Sequence, residues 1–157
     1  MVTSAGTAGW EGSPAMPEAV DAAAERGVDI SGHVAMRLRR GMAAAADLVL
    51  CMAAEHRDQI VSDEPQAVDR TFTLKELVRL LEGGARAAAT PAARIAAAAA
   101  ARADAEANEH QDEDIADPLG LPLDGYRTIA SELDDWIGRL VPALFDPVPA
   151  TLASGEH

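Results

Sequence analysis

Asp47-Leu48-Val49-Leu50-Cys51-Met52 is a near-continuous apolar run of strand length, and its reading decides the fold. A strand apolar on both faces suits a parallel sheet, in which helices cover both sides. Helical patterns flank it. Ala53 to Ile60 reads as a helix directly after the run, and upstream the pair Ser31-Gly32 can cap a short basic helix carrying Arg37, Arg39 and Arg40. Downstream, Val68 to Phe72 is a weaker second strand. Thr73 can cap a helix from Leu74 to Leu81, whose apolar residues Leu74, Leu77, Val78 and Leu81 recur at three and four. Strands alternating with helices predict a small α/β fold with a parallel sheet.

Further out the signals are weaker on one side and stronger on the other. Met1 to Thr7 reads as a short extended start and Ala8 to Pro14 as a loop. A helix is expected from Pro17, suited to a first helical position, to Arg26, with Gly27 as its stop and a mild buried face of Val20, Ala23 and Ala24. Past Gly83-Gly84, Thr90-Pro91 starts an alanine-rich helix to about Ala107 that has high propensity and little to bury, Ile95 being its one large apolar residue. Asn108 to Asp124 is acidic and then broken by two prolines and a glycine, so it reads as a loop. Gly125 to Leu144 carries the strongest amphipathic pattern, with Tyr126, Ile129, Leu133, Trp136, Ile137, Leu140 and Leu144 on one face and Pro142 placed to bend or fray its end. Residues 146–157 hold two prolines among small residues and are expected to be a disordered tail.

The chain has 157 residues, 48% hydrophobic and 25% charged, which suits one domain. Twenty-six acidic residues against thirteen basic ones give a net charge of −13, a field that repels phosphate backbones and anionic headgroups. Nucleic acid and membrane are therefore not expected partners. The single cysteine, Cys51, suits a reducing cytoplasm, and the start of the chain has neither the basic nor the apolar region of a signal peptide.

Cys51 and Arg57 are separated by five residues, the spacing that cysteine-dependent phosphatases use. A phosphate cradle needs converging backbone N–H groups and freedom from negative charge. The intervening residues include Glu55 and no glycine, so a buried strand thiol is the better reading of Cys51. No histidine pair has metal-ligand spacing, the run Asp112, Glu113, Asp114 and Asp117 lacks the ligand pattern of a calcium loop, and neither metal nor cofactor is expected. That acidic run reads as a solvated face. Asp117 differs from its neighbours because Pro118 holds it extended on a loop, a plausible mount for a general acid.

Taken in order, these pieces resemble the low-molecular-weight protein-tyrosine phosphatase family. Ser4 to Trp10 is similar to the family's second strand and the wall loop after it, Asp29-Ile30-Ser31-Gly32-His33 to the next turn, Asp47 to Met52 to the third strand, and Asp117-Pro118 to the general-acid motif. The resemblance implies a three-layer α/β fold with a small parallel sheet over residues 1–145, in which 83–110 is an alanine-rich insertion. The family opens with a strand leading into Cys-x-Gly-Asn-x-Cys-Arg-Ser-Pro, which supplies nucleophile and phosphate-binding arginine. No such stretch occurs in these residues, so the sheet is expected to lack its first, central strand.

By the same resemblance the complete enzyme hydrolyses a phosphorylated protein or a small aryl phosphate. A thiolate attacks phosphorus and Asp117 protonates the departing oxygen. Trp10 walls the cleft, and Leu119 stands where many relatives carry an aromatic, which weakens a phosphotyrosine preference. Two readings follow: a phosphatase truncated at its front, without nucleophile or phosphate loop, or a catalytically inactive relative that binds a partner.

Overall fold

The computed structural model describes residues 1–8, 10–105 and 112–147. Two short strands, β1 (Val49–Cys51) and β2 (Thr71–Thr73), pair in parallel with Leu50 opposite Phe72. Six α-helices accompany them among the described residues: α1 (Pro17–Ala24), α2 (Met42–Ala45), α3 (Ala54–Asp63), α4 (Leu74–Glu82), α5 (Pro91–Ala105) and α6 (Leu123–Phe145). Side chains alternate across a strand, and here the alternation divides two cores. Leu48 and Leu50 pack against Phe72, Leu77, Leu81 and Leu140, whereas Val49 and Cys51 pack with Ala43, Ile60 and Ala67. The apolar run is thus covered on both faces, by α4, α5 and α6 on one side and by α2 and α3 on the other, giving the three-layer α/β arrangement.

The thread from β2 into α4 is the most buried part of the molecule. Every residue from Thr71 to Val78 is buried, and Thr73 closes a capping box in which its hydroxyl accepts from the Glu76 N–H and the Glu76 carboxylate accepts from the Thr73 N–H. The second strand lies three residues later than its β-propensity placed it. Pro65 starts a tight helical turn through Arg70, and the Thr71 hydroxyl donates back to the Ala67 carbonyl at 2.8 Å, so Val68 is spent in a turn and stands exposed.

The alanine-rich helix buries more than its composition promised. Ala98 is fully buried beside the main core, and Arg94, only 1% exposed, reaches through it to donate to the carbonyls of Ala88 and Ala143. The small alanine side chains let α5 approach closely, and the arginine satisfies a carbonyl in the last turn of α6 that no intrahelical N–H can reach. In α6 the predicted face is largely seated, Tyr126, Leu140 and Leu144 being buried, but Ile137 is exposed. The helix continues through Pro142.

The front of the chain departs from expectation. Arg37, Arg39 and Arg40 lie on no helix; the segment is extended, with single bridges from Gly6 to Arg37, parallel, and from Pro14 to Val34, antiparallel. Ladder bonds account for this. The Gly6 N–H donates to Met36 O and Leu38 N–H to Gly6 O, each at 2.9 Å, while Gly12 and Ala35 exchange bonds with Ala35 O and Ser13 O. Pro14 tolerates its bridge because its neighbours donate instead. Among the described residues no ladder joins this pair of bridged segments to β1, whose second edge carries no strand. The expected tail falls mostly on residues 148–157, outside the described residues.

Candidate active site

Asp117 sits in a turn built by its own neighbourhood. One carboxylate oxygen accepts from the Leu119 N–H at 2.9 Å, and the Leu121 N–H closes onto Pro118 O at 2.9 Å. Gly120, with φ of 82°, takes the left-handed conformation that the third residue of such a turn can require. Asp117 is exposed, as is Leu119 at 56%. Trp10, 75% exposed, stands on the separate loop between Gly6 and Pro14, and no hydrogen bond joins it to the acid turn among the described residues.

The acid turn is docked at the C-terminal end of β1. Ile115, buried, donates its N–H to Met52 O at 2.7 Å, and the Asp114 carboxylate accepts from the Ala54 N–H at 2.8 Å, at the start of α3. The acidic run is exposed at three of its four acids, as a solvated face would be, but it is also tied to the fold, and Glu113 departs from that reading. Glu113 bridges two guanidiniums, Arg57 of α3 at 2.9 Å and Arg79 of α4 at 3.1 Å, while Lys75 lies 3.6 Å from Asp112 and 2.7 Å from Glu132. Of the four, Asp112, Asp114 and Asp117 are exposed and Glu113 is half-buried. Behind them Glu76 joins Arg57 at 3.4 Å and touches Arg102 Nε at 2.6 Å, a charge contact outside hydrogen-bond alignment. These partners come from positions 19 to 60 residues away, so no local spacing signalled them.

The same geometry decides the Cys51 and Arg57 pair. Cys51 is 5% exposed at the end of β1, and burial pushes its thiol up to about 11, outweighing the pull of Arg57. A nucleophilic thiol needs the opposite shift. Arg57 is engaged by Asp58, Glu76 and Glu113, so its charge is committed to carboxylates rather than offered to phosphate. Among the described residues no three His, Cys, Asp or Glu side chains gather as a metal site would, and no helix is long and apolar enough to cross a membrane.

Comparison with known proteins supplies the family. The family model described as low molecular weight phosphotyrosine protein phosphatase matches residues 1–94. The chain is 32% identical over 143 residues to the protein-arginine-phosphatase of Geobacillus stearothermophilus, a match covering 91% of this chain and 76% of that protein. A probable low molecular weight protein-tyrosine-phosphatase, EpsP of Ralstonia nicotianae, is 38% identical over 76 residues, covering 48% of this chain and 52% of the relative. Among solved structures, the low molecular weight protein tyrosine phosphatase from T. tengcongensis superposes with a TM-score of 0.66 at 34% identity, over 90% of this chain and 76% of that one. With its parallel β1–β2 pair, its helical layers and a family match across more than half its length, the chain belongs to the low molecular weight phosphotyrosine protein phosphatase family.

Proposed function

We propose that this chain serves phosphomonoester hydrolysis on phosphorylated proteins, with Asp117 as the general acid. The observation that carries the reading is the docking of the acid turn, through Ile115 and Met52, at the C-terminal end of a parallel strand. Ligands of open parallel sheets gather at that end. There Asp117 gives its proton to the leaving atom as the bond to phosphorus breaks, then takes a proton from the water that releases the enzyme-bound phosphoryl group. Trp10 and Leu119 are assigned to the walls of the cleft, and the setting is the cytoplasm, where a lone thiol stays reduced.

Neither Cys51, buried and protonated, nor Arg57, neutralised by carboxylates, supplies the attacking thiolate or the phosphate clamp. The 157 residues are accordingly assigned the acid side of the site and no turnover of their own. That burial also favours a second reading, a family member that binds phosphorylated protein without hydrolysing it.

Fusing a strand, phosphate loop and helix, roughly 30 residues or more for such a unit, ahead of Met1 separates the two. On the first reading the fusion hydrolyses aryl phosphates, and Asp117→Asn slows a poor leaving group by about 10²–10⁴-fold. The loss is smaller on a nitrophenyl ester, whose leaving group needs little protonation. It is larger on phosphoarginine, because an unprotonated guanidine is a stronger base than a phenolate and leaves with more difficulty. A fusion that binds a phosphorylated peptide without turnover supports the second reading. Full activity of Asp117→Asn on every ester rejects Asp117 as the acid.

A further inference from the structure

The acid turn belongs to a stretch without regular structure that runs from Asp112 to Pro122, just ahead of α6. Two hydrogen bonds tie it to the end of β1 and the start of α3: the Ile115 N–H donates to Met52 O, and the Asp114 carboxylate accepts from the Ala54 N–H. Both land on one short piece of chain, residues 52–54, and so define a line about which the stretch could still swing. The third attachment lies off that line. Glu113 spreads its two oxygens across two helices, Oε2 to Arg57 on α3 and Oε1 to Arg79 on α4, and Arg79 also reaches Asp112 O at 3.4 Å. All three side chains are at least seven-tenths shielded from water, where charge-assisted hydrogen bonds keep most of their strength.

We propose that Glu113 is the positioning residue of the site: held between Arg57 and Arg79, it fixes the rotation of the acid stretch on β1 and so the aim of Asp117. The proposal rests on Asp117 being the general acid. It also accounts for the arginine of the Cys51 and Arg57 pair, which serves the acid turn instead of a phosphate. The surrounding charges make the effect local. Without the Glu113 charge, Arg57 keeps Asp58 at 3.0 Å and Glu76 at 3.4 Å, and Glu76 keeps Arg102, so α3 and α4 retain their own pairing while the stretch loses its fork. Lys75 stays with Glu132. The isosteric amide of Glu113→Gln can accept from one guanidinium but cannot bridge two as a carboxylate does.

Amide hydrogen exchange on the full 157-residue chain tests this without calling on turnover. In Glu113→Gln the Ile115 and Leu119 amides should exchange at least tenfold faster, with the Leu77 and Val78 amides in α4 unchanged; Arg79→Gln should reproduce the pattern, and the double variant should add nothing to it. Unchanged exchange at Ile115 and Leu119, or an equal rise at all four amides, overturns the proposal. Arg79→Lys, which keeps charge and loses the planar fork, provides a milder variant should Glu113→Gln fail to fold, and is expected to accelerate the same two amides. Altered exchange alongside a fully active Asp117→Asn fusion would instead sink the general-acid reading and leave Glu113 as a loop anchor.

Discussion

Residues 71–78 are buried without exception, and residues 1–5 are exposed without exception. The rear of the molecule, β2 and α4 packed on α5 and α6, has a continuous apolar core and a doubly closed helix cap. The front, from Met1 to Gly41, buries Ala22 where α1 packs on α6, and is otherwise held by two isolated bridges and by surface ion pairs such as Arg39 with Glu11 and Arg26 with Asp134. Stability and function divide along this line. The rear supplies most of the burial that holds the fold, and it grips the acid turn through Lys75 and Arg79 of α4, joined by Arg57 of α3; the front carries Trp10 and two isolated bridges.

Replacing Phe72, fully buried, by alanine should cost about 3–5 kcal/mol in a urea melt. Trp10→Ala, at an exposed front position, should stay within about 0.5 kcal/mol. Equal losses would erase the distinction. The next largest effect is expected at the cap: Thr73→Ala removes one half of the capping box and should cost about 1 kcal/mol.

Cys51 sharpens the comparison from the chemical side. Its folded thiol ionises near pH 11 against an ordinary value of 9.0, because burial opposes the thiolate. The folded state therefore keeps the proton longer, and stability is whole below pH 9 and falls as the pH rises toward 11. An aromatic disulfide reagent at pH 8 should label the native protein slowly and the urea-unfolded chain at once; rapid native labelling would contradict the burial. The smallest effect belongs to the exposed pair joining α1 and α6. Arg127 hydrogen bonds hold Glu25 below its usual 4.5, so this contribution is present above pH 4.5 and is lost as the pH falls. Glu25→Gln should shift the melt less than Thr73→Ala, and 1 M salt should remove the difference, since screening is nearly complete there.

The parts of this layout that were legible in the sequence are those governed by local rules. The run through Leu48 and Leu50 announces a strand covered on both faces, Thr73 announces a cap, and the threes and fours from Leu74 to Leu81 announce a buried face; each signal lies within a few residues of the element it makes. The extended path of Arg37 was not legible, because its partner Gly6 lies 31 positions away and a ladder bond between them leaves no mark on either side's composition. Nothing local marks Arg94 as buried, because the Ala143 carbonyl it donates to lies 49 positions away. At the proposed site, Asp117 is singled out in the sequence by the proline that follows it, but the pairing of Glu113 depends on two arginines from two helices. Composition made it one more solvated acid in a chain of net charge −13.

The claim at the centre of this account is that the residues present build an acid turn while Cys51 serves only the core. Hydrolysis of para-nitrophenyl phosphate by the purified 157-residue chain, measured from pH 5 to pH 8 beside Cys51→Ser, tests it directly. The account predicts that both proteins release nitrophenol no faster than buffer. Turnover by the unaltered chain that disappears in Cys51→Ser would contradict it, and would make the buried thiol the nucleophile.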